Sequence, residues 1–218
     1  MRLALVFLMA TAGAVVGFNV GLQKVTSVYP LPHHIPKYEG GICLRFAMVH
    51  DVIHERYPVH GRALYEERNR RALRAIKDED ARRQKGEAPT PAYFAMKDDL
   101  GVGLERLGEH EGAVALMREK LRQQEAAGLK EHDLYSTKAN LGTFLILWQL
   151  QEGFGDLPTT KQRLNEGLAL VRGSMAAKPD AHFGREVWQA VLLEFLLATL
   201  DDPSLLTRFD MVGDSLEQ

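Results

Sequence analysis

The sequence predicts an all-α protein, and three observations carry that expectation. Beyond residue 42, apolar side chains recur at three- and four-residue spacings instead of alternating. The breaks between these stretches hold helix punctuation, with Thr90-Pro91 and Asp202-Pro203 as starts and Gly108 and Gly128 as stops. Finally, 218 residues that are 45% hydrophobic and 26% charged can build a core of ordinary size and do not fit a disordered chain.

Residues 1–22 read as a signal peptide or signal anchor. Arg2 precedes the apolar run Leu3–Met9, and small residues follow from Ala10 to Gly17. Ala10-Thr11-Ala12 has the small-x-small spacing of a cleavage site, although a cut after Ala14 or Gly17 is also compatible. The stretch is about as long as a bilayer core requires, but Gly13, Gly17 and Gly21 weaken it as a permanent span. A cleaved leader is therefore expected, with an uncleaved anchor as the alternative. Either one places the rest of the chain outside the cytoplasm, in the periplasm or secreted.

Residues 23–41 contain Pro30, Pro32 and Pro36 and read as an extended linker, in which the His33-His34 pair has no fixed geometry and receives no role. A helical domain is expected over 42–210, and 211–218 forms a tail. Its first helix carries Leu44, Phe46, Ala47, Val49, Val52 and Ile53 and closes at Tyr57-Pro58. Further helices are expected from about Gly61 to Lys77, from Thr90-Pro91 to Leu107, and from Glu111 to Ala127. After these, Asp133 caps a helix to about Gln151, Thr159 or Thr160 opens one through Arg172, and Asp180 caps one to about Leu200. A short helix from Asp202-Pro203 through Phe209 ends the series. Residues 77–90 hold charges of both signs with almost no apolar side chains and read as a solvated helix end or loop.

Charge and cysteine usage exclude several functions. With 27 basic and 29 acidic side chains there is no basic excess, and the richest stretch, 62–87, has nine basic and six acidic groups, so no nucleic-acid partner is expected. A single cysteine, Cys43, excludes an internal disulfide framework and a four-cysteine zinc site. No phosphate-binding glycine loop and no nucleophile-elbow serine is present. No cofactor is expected.

Asp99-Leu100-Gly101-x-x-Leu104, followed by Leu107-Gly108-Glu109-His110-x-x-Ala113, resembles the tetratricopeptide repeat. That family carries Leu-Gly in the first helix and Gly-x-aromatic-x-x-Ala at the turn, and His110 takes the aromatic's place. Asn140-Leu141-Gly142 with Leu145 starts a second copy 41 residues later, but Gly153–Pro158 lengthens its turn and its second helix lacks a clear matching alanine. A third, weaker copy has Trp188, Val191 and Phe195, with Leu192 in place of the glycine. The spacing exceeds the family's 34 residues. The resemblance covers 91–127 well and 134–172 in part. It implies a short right-handed solenoid of antiparallel helix pairs whose first helices line a groove for a protein or peptide. Asp98, Val102, Glu105 and Arg106 from one copy, and Ser136, Asn140, Thr143 and Ile146 from the next, are the expected groove residues. Asn140 is the sharpest of these, because the family's asparagine at this position commonly hydrogen-bonds a bound peptide's backbone. Asp98 and Val102 do not supply the lysine that some members use to clamp a C-terminal carboxylate.

One constellation points elsewhere. His50-Asp51-x-x-His54 places two imidazoles four apart on one helix face, a spacing that suits a zinc ion. The motif has aspartate where zincins use glutamate, and it lacks a third ligand. The sequence therefore predicts an exported adaptor or scaffold that binds a protein or peptide segment, with a metal-dependent hydrolase at His50 and His54 as the alternative. Membrane contact is expected only through residues 1–22. Helices that are apolar nearly all round, at 144–148 and 191–197, leave room for a homo-oligomer.

Overall fold

The computed structural model describes residues 61–179, 181, 185–210 and 215–216. The leader, the linker, the helix expected over 42–56, Cys43, His50 and His54 lie outside the described residues, as does the capping residue expected at Asp180. The chain divides into two compact units, one of them His60–Pro179, with Asp180–Gln218 belonging to the other. This division falls inside the 42–210 stretch that the sequence treats as one domain.

The first unit contains α1 (Arg62–Arg83), α2 (Pro91–Arg106), α3 (His110–Ala126), a 3-10 turn (Glu131–Leu134), α4 (Tyr135–Glu152) and α5 (Leu157–Ala177). Among its described residues there is no strand. Each helix packs against the next, and α2 also reaches past α3 to touch α4. The expected punctuation holds where a cap or a positive φ enforces it. The Thr90 hydroxyl accepts the Tyr93 amide at 3.1 Å to open α2. Gly108 (φ 84°) and Gly128 (φ 69°) adopt the left-handed backbone that ends α2 and α3.

Four boundaries of this unit differ from expectation: α5 runs on to Ala177, beyond the expected Arg172, and the other three have a local reason. α1 continues to Arg83 because its charged end is tied down: Glu79, 8% exposed, accepts the Thr90 hydroxyl at 2.8 Å and Arg82 at 3.0 Å. Asp133 closes the 3-10 turn by accepting the Lys130 amide at 3.2 Å instead of capping α4. α5 starts at Leu157, with Pro158 in a first turn that needs no N–H from it. Thr160 is consequently buried inside the helix, where it accepts from Gln149 at 3.0 Å.

Two apolar clusters build the core of this unit. Ala72 and Ile76 of α1 meet Tyr93, Phe94 and Leu100 of α2. Ala113, Val114 and Met117 of α3 meet Leu141, Phe144 and Leu145 of α4. Each fully buried large side chain in them contributes about 1.5–3 kcal/mol. Missing side chains set the helix spacing. A Cβ on Gly101 would lie 2.8 Å from Met117 Cε, and one on Gly142 would lie 3.0 Å from the Gly167 carbonyl oxygen. The close partner of Gly142 is thus Gly167 of α5.

In the second unit the described helices are α6 (Arg185–Asp201) and α7 (Leu205–Arg208). Phe195, Leu205 and Phe209 form a cluster there, and Phe209 pairs with Ser215 in an isolated antiparallel bridge.

Candidate binding groove

Asp98, Val102 and Glu105 recur at four and three residues along α2, and Ser136, Asn140 and Thr143 do the same along α4, so each trio shares a helix face. The structure brings the two faces together at Asp98. Its carboxylate accepts the Ser136 hydroxyl at 2.9 Å and the Asn140 amide at 3.0 Å, both from α4. Lys120 of α3 adds its ammonium at 2.6 Å and is only 1% exposed. Asp98 therefore joins three helices. An ionised carboxylate offers about four lone-pair sites, which accommodates all three donors.

The remaining residues expected in a groove divide by burial. Val102 and Thr143 are half-buried and Arg106 is exposed. Burial pushes the Glu105 carboxyl above the usual range, with Arg106 and His110 pulling it back. Ile146, expected alongside them, is 2% exposed and packs where a Cβ on Gly167 would stand 3.2 Å from its Cγ1. It belongs to the α4–α5 crossing.

Behind this face runs a polar layer that the sequence did not reveal. Lys97 is 4% exposed, donates to Gln123 at 2.8 Å and sits 4.6 Å from the Tyr93 ring centre. Burial lowers its affinity for a proton, and it does the same for Lys120, where Asp98 partly offsets the effect. Tyr93 donates to Asp80 and accepts from Arg83, both at 2.8 Å, and burial raises its hydroxyl above the ordinary tyrosine range. Thr137 donates to Gln124 at 2.6 Å, and His110 bonds Gln151. The available signal was a polar residue on an apolar stripe: Lys120 and Gln124 continue the spacing of Ala113 and Met117.

Among the described residues no group of three His, Cys, Asp or Glu side chains could hold a metal, and no helix is long and apolar enough to cross a membrane. No family model, curated protein or solved structure matches the chain. Asn140 gives one amide hydrogen to Asp98 and retains a second hydrogen and its carbonyl oxygen, the pair of groups that a peptide unit satisfies.

Proposed function

We propose that this chain is an exported tetratricopeptide-like adaptor that binds a protein or peptide segment along the joined faces of α2 and α4. The observation that supports it is the direct contact of α2 with α4 through Asp98, Ser136 and Asn140. In stacked helix pairs the first helices lie side by side in this way and line the groove, and the short solenoid is part of the same reading. Export rests on the order of Arg2, the apolar run and the small residues in 1–22.

Affinity capture from an extracytoplasmic fraction, quantified by mass spectrometry, tests both parts. Asn140→Ala is expected to deplete partners that the wild type retains. Thr143→Arg, which fills the same face and leaves the Asp98 contacts in place, is expected to deplete the same set. Identical partner lists for all three proteins would sink groove recognition. A mature chain that keeps residues 1–22 and fractionates with cytoplasmic markers would sink export.

A further inference from the structure

We draw no further inference here: the strongest candidate, the open cleft between α3 and α5 over Leu121, Leu141 and Leu170, has walls whose basic side chains Arg118, Arg122 and Lys138 are each paired with a carboxylate, and nothing in the structure shows what covers it.

Discussion

Lys120, at 1% exposure, depends on Asp98 for its charge compensation. Asp98→Ala leaves a buried ammonium unpaired and is expected to cost about 3–5 kcal/mol in urea denaturation, with much less lost when Lys120→Met accompanies it. If the single and double variants prove equally unstable, the pair is not the source of the loss. The alkaline response follows from the same layer. Lys97 and Lys120 release protons in the folded chain below the ordinary value of 10.5, so up to that pH the unfolded chain binds more protons and stability rises with pH. Tyr93 has the opposite sign: the folded chain keeps its proton above 10.0, and that contribution is lost at higher pH. Denaturation midpoints measured from pH 8 to 11 are expected to rise and then fall, and Tyr93→Phe is expected to remove the fall. Asp98, Ser136 and Asn140 were legible in the sequence as candidates, because helical spacing puts Asp98 on one face of its helix with Val102 and Glu105, and Ser136 and Asn140 on one face of theirs. Lys120 was hidden because a lysine at the edge of an apolar stripe usually carries its charge out to water.

At the scale of elements, glycines decide which helices approach closely. Gly142 faces the Gly167 carbonyl oxygen at 3.0 Å from the site of its missing Cβ, and Val171 Cγ2 lies equally near. Backbone cannot yield there, so Gly142→Ala is expected to lose about 1–3 kcal/mol to overpacking despite alanine's helix preference. Gly112 in α3 is the control, since its Cβ would meet only Leu104 at 3.9 Å, and Gly112→Ala is expected to gain about 0.5–1 kcal/mol. Thermal melts of the two variants should move in opposite directions; a shared direction would refute the close crossing. The helices themselves were readable from spacing and punctuation, Thr90 and Gly108 being the clearest marks. Their ends were misjudged where a long-range contact overrode the local signal, as when Glu79 and Thr90 extend α1 beyond Lys77. The Gly142–Gly167 pairing was invisible because nothing local to either helix marks which residue of its neighbour each glycine will meet.

For the whole molecule, both apolar clusters of the first unit draw only on residues between Ala72 and Leu170. A fragment of residues 60–179 is therefore expected to fold alone, giving a helical circular dichroism spectrum and a single cooperative melt; a broad, non-cooperative transition would show that the unit needs the rest of the chain. The joint held by Asp98 has one more consequence. A ligand that draws the Asn140 amide away from that carboxylate has to replace the lost bond, so its affinity carries an energetic term for the α2–α4 register. Reciprocity then requires that any perturbation loosening this register change the ligand's affinity by the same free energy. Lys120, fixed from the third helix, makes α3 a party to that exchange, and under the proposed function recognition on one face becomes an equilibrium shared by three helices.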